Sequence, residues 1–183
     1  MAFANPESNI KNFGLRAGMM VADFGAGVGA HTLLSARAVG DGHVYAIDVQ
    51  KEVLAALARR AEEQKIRNIS YLWGDVEQLG GSKLKDGSVD AVMIINLLFQ
   101  ISNKYTLAQE AARVVRPSGW ALIIDWEDSF GGLGPPASDV IKSGPAAEIF
   151  KSAGFEPAGT FPAGDHHWGL RLRRAVARDY RHD

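Results

Sequence analysis

The sequence predicts an α/β protein: one doubly wound sheet, mostly parallel, with helices on both faces. Three observations predict it. Short apolar runs alternate with amphipathic stretches along most of the 183 residues, without an internal repeat. That alternation is the pattern of βα units around a parallel sheet. The run over 89–95, VDAVMII, is apolar enough to be covered on both faces, as central strands of such sheets are. Near the end the rhythm breaks into two strand-like runs separated only by a loop, and these must pair antiparallel because a parallel pair needs a long crossover.

In order, 21–24 is a short strand, followed by a Gly-rich turn and a helix over 31–39. Gly40, Asp41 and Gly42 break the chain before a second strand at 43–47. A helix over 51–65 carries Val53, Leu54, Leu57 and Ala61 on its buried stripe. Strands follow at 69–73 and 89–95, then a helix over 103–115 stopped by Arg116-Pro117-Ser118-Gly119, where proline and glycine turn the chain sharply. The fifth strand is 120–125. The Gly-, Pro- and Ser-rich stretch 129–143 is expected to be a flexible segment over the mouth of the sheet. Pro145 suits the first turn of a helix ending near Ala153-Gly154, and 155–161 and 168–173 are the closing antiparallel pair. These elements make a single domain over 1–174, with 175–183 as a frayed tail.

A hydrophobic fraction of 46% with 22% charged residues is that of a globular protein, and a formal net charge of −1 exerts no global pull toward nucleic acid or anionic membrane. No apolar run approaches the roughly 18 residues of a membrane span, and 1–18 has no basic-then-apolar leader pattern. The expected compartment is the cytoplasm. Cysteine is absent, so disulfides, cysteine-held zinc or iron–sulfur clusters and thiol nucleophiles are excluded.

The first motif is Asp23-Phe24-Gly25-Ala26-Gly27-Val28-Gly29, leaving a strand and entering a helix. Glycines there allow a tight turn and let a ligand approach the backbone. Gly25, Gly27 and Ala30 also satisfy the dinucleotide fingerprint, so the motif alone is ambiguous. Asp23 discriminates: a carboxylate there suits a cationic ammonium group, whereas beside a pyrophosphate it would repel. Asp48, ending the second strand with Val49 after it, suits ribose hydroxyls. Asp75, followed by Val76, suits an adenine amino group. Each aspartate alone could be a cap or turn former; three at successive strand ends, where open α/β sheets bind ligands, point to a nucleoside site.

Together, 23–29, Asp48, Asp75, the strand over 90–96 and Arg116-Pro117-Ser118-Gly119 resemble the successive motifs of class I S-adenosylmethionine-dependent methyltransferases, most of all the small ubiquinone/menaquinone C-methyltransferase type. The resemblance covers 15–125 well and the remainder more loosely. It implies a Rossmann-like sheet of seven strands with S-adenosyl-L-methionine over the glycine loop and S-adenosyl-L-homocysteine as product. Carried onto this chain, Asp23, Gly25, Ala26, Gly27 and Gly29 hold the methionine part, Asp48 and Val49 the ribose, and Asp75 with Val76 the adenine. Asn96 contacts the cofactor and begins the acceptor site. The missing cysteines rule out a radical branch of this chemistry, thiol-based arsenite methylation and cytosine-C5 methylation.

Departures from the family narrow the acceptor. Asn96-Leu97-Leu98-Phe99 is not the Pro-Pro motif of enzymes that methylate planar amino groups, which argues against DNA. The carboxylate set that holds magnesium in catechol-type enzymes is not evident, so no metal is expected. The predicted topology brings Asp125, Trp126, His166 and His167 to the mouth beside Asn96. Asn96, Asp125, His166 and His167 are the catalytic candidates, the histidines as proton acceptors or orienting groups. The alternative is that the histidines are surface turn residues. The arginines at 171, 173, 174, 178 and 181 form a basic run that reads as a solvated face. The expected function is methyl transfer to N, O or C of a small-molecule acceptor, by a monomer or homodimer that engages neither membrane nor DNA. A protein or RNA acceptor, an NAD(P)-dependent oxidoreductase and a non-catalytic cofactor-binding module are the alternatives.

Overall fold

The computed structural model describes residues 5–130, 132 and 134–176. The chain runs α1 (Pro6–Phe13), β1 (Met20–Phe24), α2 (Ala30–Val39), β2 (His43–Asp48), α3 (Lys51–Glu63), β3 (Ile69–Trp73), β4 (Val89–Ile95), α4 (Lys104–Val114), β5 (Val115–Trp126), α5 (Ser143–Ser152), β6 (Phe155–Gly164) and β7 (His167–Arg174). The seven strands form one sheet in the order β3-β2-β1-β4-β5-β7-β6. β1 to β5 are mutually parallel, and β7 pairs antiparallel with both β5 and β6. The expected alternation and the closing hairpin are both present. Of the tail expected over 175–183, residues 177–183 lie outside the described residues; Ala175 still donates its N–H to the Gly154 carbonyl.

Alternation along the central strands explains the double winding. In β4, Val92 and Ile94 face one core with Leu107, Ala111 and Phe150 of α4 and α5. Ala91 and Met93 face the other, with Ile10, Phe13, Leu33, Leu54 and Leu57 of α1, α2 and α3. Between β1 and β4 the connections diverge to opposite sides, which opens a crevice at the carboxyl ends of the two strands.

Two elements differ from the sequence reading. The Arg116–Gly119 turn does not separate helix from strand. Val115 already pairs with Val89, and the next partners are Trp120 and Ala91, so 116–119 bulge out within β5. The helix α1 escaped the reading although its signals are present: Asn5 caps Ser8, Pro6 opens the first turn, and Ile10 and Phe13 make one apolar edge. The segment joining β3 to β4 has no helix, and a buried carboxylate organises it. Glu110 on α4, fully buried, accepts from the Gly80 and Ser82 N–H groups, the Ser82 hydroxyl and Arg113. No helix among the described residues is long and apolar enough to cross a membrane.

Candidate active site

The crevice at the β1/β4 switch point holds two chambers that share Gly25, Gly27, Asn96 and Gln100. One, of about 290 Å³, lies between Asp48 and Val49 on one side and Asp75, Val76 and Ile101 on the other. The second, of about 540 Å³, runs over the glycine loop to Asp23, His31, Trp126 and His167.

Local sequence builds the floor. The Gly25 and Ala26 N–H groups donate to the Ile47 carbonyl, and Gly27 N–H donates to Asp48 Oδ2 at 3.0 Å, which ties the loop to the end of β2. Gly29 adopts φ 79°, and a Cβ there would stand 2.0 Å from Leu57 Cδ1. At this position glycine lets α2 start tight against α3. Arg60 of α3 donates to the Val28 carbonyl and holds the loop from behind.

Asp23 is 3% exposed and accepts the Thr32 hydroxyl at 2.6 Å. Burial pushes its carboxyl up to about 6, the Thr32 hydrogen bond opposes this, and Asp48 adds to the rise. Asp48 also accepts from Gln50 N–H, two residues on, so it fixes the turn into α3 and still lines the smaller chamber. Asp75 stands two residues past β3 rather than at its end, and accepts from Glu77 N–H and the Gln78 side chain. Val76 is buried beside it and Val49 is exposed at the rim. Asn96 follows β4 with φ 51°; its N–H donates to Ile124, and its Oδ1 is buried without a partner. A non-glycine residue in the left-handed region is uncommon, asparagine being among the most tolerant.

The four catalytic candidates do not converge. Asp125 is fully buried beneath the 97–99 turn, its oxygens taken by Leu98 N–H at 2.7 Å and Trp126 N–H at 2.8 Å, and it lines neither chamber. Burial raises its carboxyl to about 6 against these N–H groups. It holds the turn that follows Asn96. His166, at the hairpin turn with φ 63°, pairs with Asp128 at 2.8 Å and stacks on Phe130, outside the chamber lining. The neighbouring residue points the other way, as alternation along a strand requires. His167 is 6% exposed, lines the larger chamber and lies against Trp126, with ring centroids 4.3 Å apart. Its Nδ1 donates to the Asp165 carbonyl at 2.9 Å, which leaves Nε2 as the bare nitrogen, buried and unpartnered. Burial lowers its pKa, so the ring stays neutral.

Three lining residues were not legible as site residues. His31, in the first turn of α2, is held down to about 4 by burial and by His167, and its Nε2 also lacks a partner. Its place two residues past Gly29 was the available signal. Gln100 donates to the Asn96 carbonyl from a short helical turn whose sequence shows no period. Pro6 reaches the chamber because α1 packs on α2.

A mostly parallel sheet of this order, with a glycine-floored crevice at its switch point and carboxylates near successive strand ends, defines a Rossmann-like nucleoside-cofactor domain. Residues 21–119, more than half of the chain, match the model of the methyltransferase domain family. The chain belongs to that family, the class I S-adenosylmethionine-dependent methyltransferases, whose cofactor is S-adenosyl-L-methionine. A S-adenosylmethionine-dependent methyltransferase from Aquifex aeolicus has the same fold at TM-score 0.85 and 28% identity, over 94% of this chain and 90% of that one. An arsenite methyltransferase from Aquipseudomonas alcaligenes is 32% identical over 63% of this chain and 37% of its own length. A demethylmenaquinone methyltransferase from Tropheryma whipplei is 30% identical over 63% of this chain and 45% of its own. The chain thus spans less than half the length of these two relatives.

Proposed function

We propose that this chain transfers the methyl group of S-adenosyl-L-methionine to an oxygen or nitrogen of a small molecule, held in the larger chamber between Trp126, His31 and His167. One observation carries the reading: the two chambers meet at Gly25 and Asn96, with acidic groups suited to the cofactor along them and an unpartnered histidine nitrogen at the far side.

The residues present fit the cofactor. Asp23 is a buried carboxylate with no cationic partner in the described structure, a match for an ammonium group. Asp48 retains lone pairs beyond its two backbone bonds for ribose hydroxyls, and Asp75 likewise for an adenine amino group. Gly25, Ala26, Gly27 and Gly29 let the methionine part lie on the backbone. The buried Asn96 Oδ1 supplies an acceptor where the two chambers join. When bound, the cofactor supplies a methyl already activated on sulfonium sulfur. The protein then positions and desolvates, which is where most of the acceleration arises. Trp126 and Ile95 exclude water from the acceptor. An O–H or N–H acceptor held in this chamber would give up its proton to His167 Nε2, the unpartnered ring nitrogen. The Asp165 carbonyl keeps Nδ1 protonated, so Nε2 is always the nitrogen available. No step needs a metal, and EDTA should leave turnover unchanged.

Calorimetry with S-adenosylhomocysteine and with NADH tests the cofactor, and tight binding of NADH alone would sink the reading. Labelled S-adenosylmethionine in a cell extract tests the acceptor; label in protein or RNA would remove the small-molecule part. On the acceptor so found, His167→Ala should lower kcat about 10²–10⁴-fold with cofactor affinity unchanged. His166→Ala should leave kcat near wild type, since its ring is bound to Asp128 and Phe130. A rise in KM without loss of kcat in His167→Ala would make that residue a wall and not a proton acceptor.

A further inference from the structure

The end of the sheet opposite the cofactor carries a second cavity, of about 350 Å³. Arg16, Arg116, Arg171 and Arg173 line it together with Trp120 and Asp90. They come from separate parts of the chain: Arg16 follows α1, Arg116 sits on the β5 bulge, and Arg171 and Arg173 are alternate residues of β7, hence on one face. Trp120 is opposite Arg173 in the β5–β7 register. Its ring lies 4.8 Å from the Arg171 guanidinium carbon and 5.5 Å from that of Arg173. The indole therefore holds two cations in place side by side.

Among the described residues one carboxylate offsets the four guanidiniums, and three are left without an ionic partner. Asp90 is the carboxylate that lines the cavity, and it is already engaged by Arg116 Nε at 2.5 Å and by Met20 N–H at 2.7 Å. Glu156, opposite Arg173 on β6, is exposed and not ion-paired to it. Arg171 Nε is buried with no hydrogen-bond partner. A protein of net charge −1 thus gathers four guanidiniums around one occupied carboxylate. Like charges held together in this way are costly unless an anion sits among them.

We infer that this cleft binds the phosphate or diphosphate group of a small phosphorylated ligand. Guanidinium forks match the oxygens of phosphate, and an all-arginine lining favours that geometry over a single carboxylate. Its volume is at the lower end of the range for small-molecule sites. A nucleic acid strand would need exposed aromatic platforms as well, and Trp120 is already covered by its arginines. The five residues of β1, at about 3.3 Å each, separate the cleft from the glycine loop by roughly 15–20 Å. The ligand is therefore distinct from the methyl acceptor's reacting end, and the inference does not rest on the activity proposed above.

Titration of pyrophosphate and of inorganic phosphate into the full chain, by calorimetry and by thermal unfolding, tests it. Pyrophosphate should bind saturably at one site per chain and more tightly than phosphate, and it should bind equally well with S-adenosylhomocysteine present. The double variant Arg16→Gln/Arg173→Gln removes two exposed guanidiniums. It should weaken pyrophosphate about tenfold or more, leave the affinity for S-adenosylhomocysteine unchanged, and keep the ligand-free Tm at or above that of the wild type, because fewer like charges then crowd the cleft. Binding that never saturates, or that is equal in the variant, overturns the site. So does a single-stranded oligonucleotide that binds through these arginines where pyrophosphate does not.

Discussion

Asp23→Asn is expected to stabilise the ligand-free protein and to impair cofactor binding at the same time. Asp23 is 3% exposed, and burial holds its carboxyl at about 6 against an ordinary 3.8. A raised carboxyl favours the protonated folded state. Its contribution to stability is fully present below pH 3.8 and is lost as pH rises through about 6. At pH 7.5 the ionised group therefore costs up to about 3 kcal/mol, at 1.36 kcal/mol per pH unit. Asparagine keeps the shape and can still accept from Thr32, so urea unfolding at pH 7.5 should show the variant about 1–3 kcal/mol more stable. The gain should shrink at pH 5. Asp125 titrates in the same range but is present in both proteins, so the difference isolates residue 23. Affinity for S-adenosylhomocysteine should fall by about 1.5–3 kcal/mol, the worth of a hydrogen bond to a charged group. In the wild type that affinity should also decline as pH drops below about 6, and in the variant this decline should vanish. A variant less stable than wild type at pH 7.5, with unaltered affinity, would mean that Asp23 serves the fold.

Glu110→Ala is expected to have the largest effect on folding, a loss of about 3–5 kcal/mol. Burial alone would raise this carboxyl, but hydrogen bonds from Arg113, the Ser82 hydroxyl and the Gly80 and Ser82 N–H groups hold it at about 2. Truncation strands those donors and leaves Arg113, 22% exposed, with the exposed Asp86 as its one ionic partner among the described residues. The pH dependence has the opposite sign to that of Asp23. A depressed carboxyl stabilises above its ordinary value of 4.5 and loses that contribution as pH falls toward 2. Wild type and variant should therefore converge in acid, by urea or thermal unfolding. The same carboxylate organises the segment that presses Gly81 against Gly74, where a Cβ on Gly74 would stand 2.2 Å from the Gly81 carbonyl oxygen. Asp75 is next in sequence, so the variant should also bind S-adenosylhomocysteine more weakly. An isosteric Glu110→Gln should lose less on both measures.

Much of this was legible beforehand because strands and glycine turns write themselves locally. Seven apolar runs, a glycine loop after the first and aspartates at or near the ends of the first three carry their meaning within a few residues. Backbone sterics and the period of two are local rules. The larger chamber is built otherwise. His167 and His166 are adjacent and chemically alike, and only the register of β7 against β5 turns one into the chamber and the other toward Asp128. Asp125 looks like a site carboxylate by position and is a buried clasp, because the turn at 97–99 folds back over it. His31 and Gln100 reach the crevice through helix packing with no pattern of their own.

By itself the sequence determined the fold class, the two-sided winding, the glycine loop and the carboxylates near the first three strand ends, since each follows from residue types at fixed short spacings. Only the tertiary structure decided which side chains line the larger chamber, which carboxylates are buried and bonded, and where the arginines gather. Those outcomes depend on contacts between residues far apart in the chain, such as Leu98 with Asp125 and Gly80 with Glu110, whose geometry is set by packing and burial and not by any local preference.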